Sequence, residues 1–267
     1  MSVLIVVPAR YASSRYPGKP LVTLRGPDGD KTLIRRSWEA AMRAGGGHRV
    51  VVATDDDRIA THARAFGAEV VMTSDTCRNG TERCAEVAAK IPEATLIVNL
   101  QGDAPLTPPA FVDALIAAIH DAPWAAMATP VLRCDGQALA GFRADRAAGR
   151  VGGTTAVFSP TNQAIYFSKE VIPFVSGNFA PEDPTPVFHH VGVYAYRRDA
   201  LVDYARCPEG PLERLEGLEQ LRFLEQGKPV LCVEVTAKHR AFWELNNPSD
   251  VALIEGILAQ QPTLPDQ

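Results

Sequence analysis

The stretch VLIVVPARYASSRYPGKPL, residues 3–21, decides how this chain is interpreted. Its first five residues are all apolar, as in a strand that is buried on both faces of a sheet. The strand runs directly into a loop that carries Arg10, Arg15 and Lys19, with Gly18 beside the lysine. An ordinary turn does not need three cations so close together. We therefore predict that this loop binds an anion.

Apolar runs alternate with helix-like segments through the first half of the chain. The predicted strands are 3–7, 50–54, 69–73, 95–103 and 125–131, and the predicted helices are 32–45, 57–67, 81–91 and 109–121. This alternation indicates an α/β fold with a mostly parallel, Rossmann-like nucleotide-binding sheet. Ligands bind such sheets at the carboxyl ends of the strands. The opening loop and Asp103 both follow a predicted strand there.

The pattern changes after residue 131. Two longer strands with alternating, β-branched and aromatic residues are predicted over 149–168 and 189–198. An amphipathic helix is predicted over 212–227, and a last helix, begun by Asn247 and Pro248, over 247–260. We therefore expect a smaller part with mixed strands. The prediction is one domain over 1–267, in which 1–131 binds the nucleotide and 132–267 binds the acceptor and forms a dimer contact.

Composition excludes several classes of function. The net charge of −4 and the pI near 5.9 argue against a nucleic-acid-binding surface. Five widely spaced cysteines without a CxxC pair suggest neither a zinc site nor a disulfide framework. No signal peptide and no apolar run of about 20 residues are visible. We expect a soluble, cytoplasmic protein that does not associate with membranes.

The chemistry of the opening loop suits a triphosphate. Lysine and arginine neutralise phosphate oxygens, and a glycine lets the backbone approach them closely. The loop is not a GxxxxGK[ST] phosphate loop, because Pro20 follows the lysine. The alternative is a solvated loop with scattered cations.

Longer motifs resemble the 3-deoxy-manno-octulosonate (KDO) cytidylyltransferases, or CMP-KDO synthetases. The opening stretch is similar to the start of that family. The similarity continues in VVVATDDDRIA (50–60), MTSDTCRNGTERCAEV (72–87), VNLQGDAPL (98–106), AIYFSKEVIPF (164–174), HHVGVYAYRRD (189–199) and PLERLEGLEQLRFLEQG (211–227). These blocks follow the family order and span nearly the whole chain. The resemblance implies a nucleotide-diphospho-sugar transferase-like fold.

The resemblance also implies a reaction and a set of residues. In the family, a hydroxyl of an acid attacks the α-phosphate of CTP and pyrophosphate leaves. Arg10, Lys19 and Asp103 would be catalytic. The implied CTP-binding residues are Pro8, Ala9, Arg10, Ser13, Arg15, Lys19, Asn79, Gly80, Thr81, Arg83 and Gln101.

Magnesium is the expected cofactor. A carboxylate on a glycine-containing loop at a strand end, such as Asp103, can reach a hydrated Mg²⁺ that bridges phosphates. The alternative for Asp103 is a turn-stabilising role. The neighbouring Asp55, Asp56 and Asp57 are interpreted as a helix cap and first turn rather than a metal site. The resemblance places Asn246 at a second metal position.

Acceptor-binding residues are also implied by the resemblance. They are Gln101, His190, Tyr194, Glu219 and Gln220. Alternatives remain open for several of them. A histidine that opens a strand is often structural, a tyrosine in an alternating strand packs, and Glu and Gln on an amphipathic helix are usually solvated.

Three departures from the family pattern concern the acceptor and the metals. The usual GDEP has Ala104 in place of the glutamate, the usual VKVV near 151–157 is VGGTTAV, and Asn246 stands where an aspartate is usual. An amide is a weaker Mg²⁺ ligand than a carboxylate, so an acceptor rich in negative charge could complete the site. On this basis we favour a phosphonate such as phosphonoformate, within phosphonate biosynthesis, over KDO.

Three hypotheses for the function therefore remain open on the basis of the sequence alone. The first is a CTP-dependent cytidylyltransferase that acts on a small anionic acid, with a phosphonate preferred. The second is CMP-KDO synthetase, or an enzyme for a related sugar acid. The third is a non-catalytic CTP-binding regulator. The resemblance further implies a homodimer.

Overall fold

The computed structural model describes residues 1–12, 16–236 and 243–260. Its strands are β1 (Val3–Ala9), β2 (Thr23–Leu24), β3 (Lys31–Thr32), β4 (Arg49–Thr54), β5 (Glu69–Met72), β6 (Leu96–Leu100), β7 (Met127–Asp135), β8 (Thr155–Phe158), β9 (Ala164–Ser168), β10 (Pro184–His190), β11 (Val193–Arg197) and β12 (Val230–Glu234). Its helices are α1 (Leu33–Met42), α2 (Asp57–Ala65), α3 (Gly80–Lys90), α4 (Pro109–Asp121), α5 (Gly136–Ala147), α6 (Arg198–Arg206), α7 (Pro211–Glu216), α8 (Leu221–Glu225) and α9 (Asp250–Gln260).

The chain forms two compact units. The first unit contains Met1–Asp113 and the described part of Ala237–Gln267, and the second unit contains Ala114–Thr236. The first unit is therefore discontinuous in sequence. The predicted division at residue 131 concerned function, and it remains a prediction.

Four parallel strands form the sheet of the first unit, in the order β5-β4-β1-β6. Every residue of β1 is buried, which agrees with its apolar sequence. Val6 of β1 pairs with Asn99 of β6, so both strands end at the same edge. The loops that follow them meet there: a Cβ on Gly102 would lie 2.4 Å from the carbonyl oxygen of Pro8. Only glycine fits at position 102.

Helices connect these strands, as the alternating pattern predicted. Asp56 caps α2, since its side chain accepts hydrogen bonds from the backbone N–H groups of Arg58 and Ile59, and this confirms the predicted cap. The last helix, α9, closes the first unit by packing onto an apolar cluster. That cluster comprises Leu24, Leu33, Leu106, Leu245, Ile254 and Leu258.

The second unit has a mixed sheet around β7. β7 pairs antiparallel with β10 and β11 and parallel with β12, and β8 pairs antiparallel with β9 and β10. A parallel sheet in one unit and mixed strands in the other confirm the predicted α/β fold class.

Three predicted elements of the second unit need correction. The region 149–168 contains two strands, β8 and β9, rather than one, because a turn at 159–163 folds the chain back. The region 189–198 is also divided, so His190 ends β10 instead of opening a strand. The helix predicted over 212–227 is broken into α7 and α8 at Gly217, whose φ of 62° lies in the left-handed region.

Candidate functional site

The opening loop folds back on itself after β1. The N–H of Gly18 donates to the carbonyl of Tyr11 at 2.9 Å, and Gly18 has a φ of 73°. A Cβ at position 18 would lie 3.1 Å from the Tyr11 ring. Glycine is therefore required both for the left-handed turn and for the close approach. The predicted site residues Ser13 and Arg15 lie outside the described residues.

The other face of the loop is held by helix α2. The guanidinium carbon of Arg58 lies 3.3 Å from the centre of the Tyr11 ring. Asp56 accepts two hydrogen bonds from that guanidinium, at 3.0 and 2.7 Å, and thereby orients it. Sequence reasoning missed Tyr11 and Arg58 as parts of the site. Their contact joins residues that are distant in sequence, and only the fold brings them together.

Lys19 and Asp103 are brought together at the end of the parallel sheet. Lys19 begins a short 3-10 helix, Lys19–Leu21, and its Nζ lies 2.6 Å from Oδ2 of Asp103. The side chains are 13% and 26% exposed. Both therefore face a partly open surface, where a larger anion and a cation can reach them.

Arg10 points toward the start of helix α3. Its Nη1 donates to the carbonyl of Arg78 at 3.3 Å, directly before the helix cap Asn79. The Asn79 side chain accepts from the N–H of Glu82 at 2.8 Å, and Gly80 and Thr81 form the first turn. The N-terminus of a helix favours a nearby anion. Arg10 and the α3 N-terminus thus extend the cationic edge that Lys19 begins.

Gln101 lies beside Gly80. A Cβ at position 80 would lie 3.1 Å from Gln101 Oε1, so Gly80 allows the helix start to approach this amide. Pro8 is near as well, because its carbonyl contacts Gly102. The structure therefore groups Pro8, Gly80 and Gln101, and their contact with CTP stays a prediction.

Arg83 is placed differently from the other predicted CTP-binding residues. It is 2% exposed, and its guanidinium contacts the Thr73 hydroxyl, the Ser74 carbonyl and, at 3.3 Å, Oδ2 of Asp55. The positive charge of Arg83 is therefore paired inside the protein with Asp55, beneath the segment that precedes α3. Contact of Arg83 with CTP remains a prediction.

Asn246 is located near Asp103 through the backbone. The N–H of Leu245 donates to the Asp103 carbonyl at 2.9 Å. Asp250 accepts hydrogen bonds from the N–H groups of Asn246 and Asn247 at 2.9 and 2.7 Å. The Asp250 carboxylate therefore has a structural role at this turn. Within the ranges that the structure describes, no three His, Cys, Asp or Glu side chains form a metal-binding group. One carboxylate and one amide still fit Mg²⁺, which commonly takes its other ligands from water and substrate phosphates.

The predicted acceptor residues of the second unit form a buried cluster. The Tyr194 hydroxyl donates to Gln220 Oε1 at 3.3 Å, and the rings of His190 and Tyr194 lie 5.6 Å apart. Gln220 is 2% exposed, so it does not belong to a solvated helix face. Glu219 precedes it and is half-buried.

His190 is neutral in this cluster. Burial lowers the pKa of His190 to about 3, because the charged imidazolium loses its hydration. Its Nε2 lies 3.0 Å from the hydroxyl of Thr129, which is also within hydrogen-bond distance of two backbone carbonyls. A hydroxyl that donates to a carbonyl can accept from His190. This arrangement favours the proton on Nε2.

The structure shows the surroundings of two of the three departures from the family pattern. Ala104 is fully buried, so a carboxylate at that position would be taken out of water. In the VGGTT segment, a Cβ on Gly152 would lie 2.3 Å from Asp145 Oδ2, and one on Gly153 would lie 3.0 Å from the Phe142 ring. Helix α5 therefore lies beside both glycines.

The fold and the site together define a class. Open parallel α/β sheets bind nucleotides at their carboxyl edge, and this sheet carries a lysine–aspartate pair and closely approaching glycines there. The family described as cytidylyltransferase matches residues 4–230, and this chain belongs to that family. It is therefore a nucleotidyltransferase.

Curated relatives match almost the whole chain. The chain is 42% identical to the 3-deoxy-manno-octulosonate cytidylyltransferase of Maricaulis maris, with 99% of this chain and 100% of the relative covered. It is 42% identical to the enzyme of that name from Chlamydia pneumoniae, with 94% and 91% covered. These relatives place the chain among the KDO cytidylyltransferases, which confirms the resemblance drawn from its motifs.

A solved structure agrees with this assignment. CMP:2-keto-3-deoxy-manno-octonic acid synthetase complexed with CTP matches with a TM-score of 0.82 at 34% identity, covering 97% of this chain and 99% of that one.

Over the described ranges, no helix is both long enough and apolar enough to cross a membrane.

Proposed function

We propose that this protein couples CMP from CTP to KDO and releases pyrophosphate. The observation that carries this proposal is the pairing of Lys19 with Asp103 at the carboxyl edge of the parallel sheet. The identity to KDO cytidylyltransferases along the chain supports the choice of substrates.

The reaction is a displacement at the α-phosphorus of CTP. A hydroxyl oxygen of the acid forms a bond to phosphorus, the bond from phosphorus to the bridging oxygen of pyrophosphate breaks, and the hydroxyl proton is lost to solvent or base. Such transfers depend mainly on positioning and on neutralising charge. Lys19, Arg10 and the N-terminus of α3 would supply that positive charge to the phosphates.

Mg²⁺ is the metal we propose for this site. Asp103 would hold it through its carboxylate, and Asn246 would offer an amide oxygen. The bound ion would neutralise phosphate charge as pyrophosphate departs. Lys19 and Asp103 lie together, so the cation and the metal carboxylate would act on one phosphate group.

We propose KDO as the acceptor in place of the phosphonate that the departures from the family pattern had favoured. The comparisons do not support phosphonoformate, since the relatives named above are KDO enzymes. The buried His190, Tyr194 and Gln220, to which the resemblance gives the acceptor, bring no formal charge to that part of the chain. Such groups suit the hydroxyls of a sugar acid better than they suit a compact anion with several charges. A homodimer and a cytoplasmic location remain predictions.

Pyrophosphate release tests the proposal directly. The purified protein is incubated with CTP and Mg²⁺ and with one of four acids: KDO, an amino-substituted KDO, a nonulosonate or phosphonoformate. We expect the highest kcat/KM with KDO. Turnover of phosphonoformate alone would contradict the acceptor assignment. CTP binding without turnover of any acid would instead favour a regulator.

A further inference from the structure

Arg83 is a buried cation to which the proposed reaction gives no part. It lies in the first turn of α3, where its N–H donates to the carbonyl of the helix cap Asn79 at 3.3 Å. Its side chain is almost fully buried, and its Nη2 lies 3.3 Å from Oδ2 of Asp55. A buried guanidinium needs partners for its charge and its donors, because an unpaired charge inside a protein is costly. The partners of Arg83 therefore indicate its role.

These partners lie at the ends of two neighbouring strands. Asp55 directly follows β4, and Thr73 directly follows β5, where its N–H donates to the carbonyl of Thr54 at 2.9 Å. Nη1 of Arg83 contacts the Thr73 hydroxyl and donates to the Ser74 carbonyl at 3.5 Å. The donors of a guanidinium point in several fixed directions. One side chain thus joins both strand ends to the start of α3.

The segment that connects β5 to α3, the β5–α3 segment, leads from this contact to the candidate site. Ser74 begins it, and the N–H of Ser74 donates to Glu86 Oε2 at 2.9 Å, so α3 holds both backbone groups of this serine. At the other end of the segment, the carbonyl of Arg78 accepts from Arg10 at 3.3 Å. Arg83 therefore fixes the start of a short segment whose end contacts a residue that we propose for the phosphates.

We propose that Arg83 is a positioning residue, which orders the β5–α3 segment for CTP and does not itself contact the nucleotide. This inference rests on the proposed function, in which Arg10 and the N-terminus of α3 face the phosphates. The guanidinium of Arg83 already has a carboxylate, a hydroxyl and a carbonyl as partners. A segment that is ordered before binding loses less conformational freedom when the nucleotide binds, so the affinity for CTP rises.

Arg83→Lys is the central test, because it keeps the charge and removes the planar set of donors. A lysine has a single nitrogen, whereas Arg83 uses Nη2 for Asp55 and Nη1 for Thr73 and Ser74. Titration calorimetry, well below the unfolding temperature, should give a dissociation constant for CTP about tenfold above that of the wild type, as the loss of a hydrogen bond from a charged group predicts. Hydrogen exchange of the amides in the β5–α3 segment should be faster.

Arg36→Lys is the matched control. Arg36 is 5% exposed, pairs with Asp28 through Nη1 and donates to the carbonyls of Leu24 and Gly29 through Nη2. Its partners are therefore of the same kind as those of Arg83, but they hold the loop between β2 and β3. The control should lower the unfolding temperature as Arg83→Lys does, and it should leave the dissociation constant for CTP unchanged.

A double-mutant cycle with Thr73 shows whether Arg83 acts through the β5–α3 segment. Thr73→Val keeps the shape and the backbone N–H, changes no charge and removes the hydroxyl that Arg83 contacts. It should raise the dissociation constant for CTP about threefold, as the loss of one hydrogen bond predicts, and have little further effect in Arg83→Lys. If Arg83 contacts CTP directly, Thr73→Val should leave that constant unchanged.

Three results would overturn the inference. They are a dissociation constant of Arg83→Lys within about twofold of the wild type, the same loss of affinity in Arg36→Lys, and additive effects in the cycle. If Arg83→Lys does not fold, Thr73→Val decides, and an unchanged constant there overturns the inference. A wild type that binds CTP but turns over no acid would refute the proposed reaction alone, whereas a wild type that does not bind CTP would refute both proposals.

Discussion

Lys19 Nζ lies 2.6 Å from Asp103 Oδ2, and this ion pair joins the loop after β1 to the loop after β6. The two residues follow strands that are adjacent in the sheet. The ion pair therefore holds the cation that we propose for the phosphates beside the carboxylate that we propose for Mg²⁺. Removing either charge should affect catalysis far more than folding.

Lys19→Ala should lower kcat/KM for CTP by about 10²-fold or more, because an oriented cation no longer neutralises charge at phosphorus. The unfolding temperature should change little, since Asp103 remains partly solvated. Lys31→Ala is a matched control: Lys31 is 16% exposed and pairs with Asp28 and Glu39. A Lys19 variant with the kcat/KM of the control would show that Lys19 is an ordinary loop charge.

Asp103→Asn should reduce turnover below that of any substitution at Asn246, because it removes the one carboxylate among the two proposed metal ligands. Raising the Mg²⁺ concentration should restore part of the rate, since an amide oxygen still binds the ion weakly. Steady-state rates across a Mg²⁺ titration measure this. Full activity of the wild-type protein in excess chelator would contradict the assignment.

Asn246→Asp tests the acceptor as well as the metal. With a sugar acid as acceptor, the added carboxylate should strengthen Mg²⁺ binding and raise kcat/KM for KDO. With an acceptor that supplies its own anionic oxygens, it should crowd like charges and lower the rate. We expect the gain with KDO. Asn247→Asp is the control, because Asn247 is exposed and its N–H contacts the same Asp250.

Arg58→Ala should raise the KM for CTP about threefold and leave kcat unchanged, because the guanidinium over the Tyr11 ring orders the phosphate-binding loop. Arg64→Ala, an exposed position on the same helix α2, should have no effect on KM. Equal KM values for the two variants would show that the Tyr11 contact does not support the loop.

His190 should make folding stability depend on pH. Its pKa is about 3 in the folded protein and about 6.5 in the unfolded chain, so the unfolded state binds more protons between these values. His190 should therefore lower stability as the pH decreases below about 6.5, by about 2 kcal/mol at pH 5, and the buried His189, whose pKa is lowered to about 4, should add a further loss. Denaturant unfolding at pH 7 and pH 5 measures this loss.

His190→Gln keeps a hydrogen-bonding group near Thr129 and cannot be protonated. It should therefore remove that part of the pH dependence. His120→Gln, at an exposed position of α4, should retain it. The same loss of stability at pH 5 in wild type and His190→Gln would show that His190 is not buried as described.

The sequence predicted the first unit well, because strong local patterns determine it. Continuous apolar runs predicted the parallel strands, and Asp56 predicted the cap of α2. In the second unit, α5, α6 and β12 were missed. The helix expected over 212–227 breaks at Gly217, since a buried ion pair between Glu213 and Arg222, at 2.5 and 2.7 Å, joins the two short helices. Such a pair depends on tertiary packing rather than on local periodicity.

Some residues of the candidate site could also be found from local sequence patterns, whereas others depend on tertiary packing. Lys19 and Asp103 could be found because a charge after an apolar strand is a local signal. The Tyr11–Arg58 contact could not be found in this way, since it depends on how α2 packs beside the loop.

The discontinuity of the first unit has a consequence for biosynthesis. Leu24, Leu33 and Leu106 pack against Leu245, Ile254 and Leu258, which leave the ribosome only after the whole second unit has been made. During translation, the apolar surface of the nascent sheet stays exposed until these residues are made. Covering that surface requires a long-range contact, which slows folding. Leu245 also donates to the backbone of Asp103, so the same late segment completes the edge that carries this carboxylate. A polypeptide released before residue 243 would therefore contain Arg10, Lys19 and Asp103 and still lack the segment that packs against the loop of Asp103.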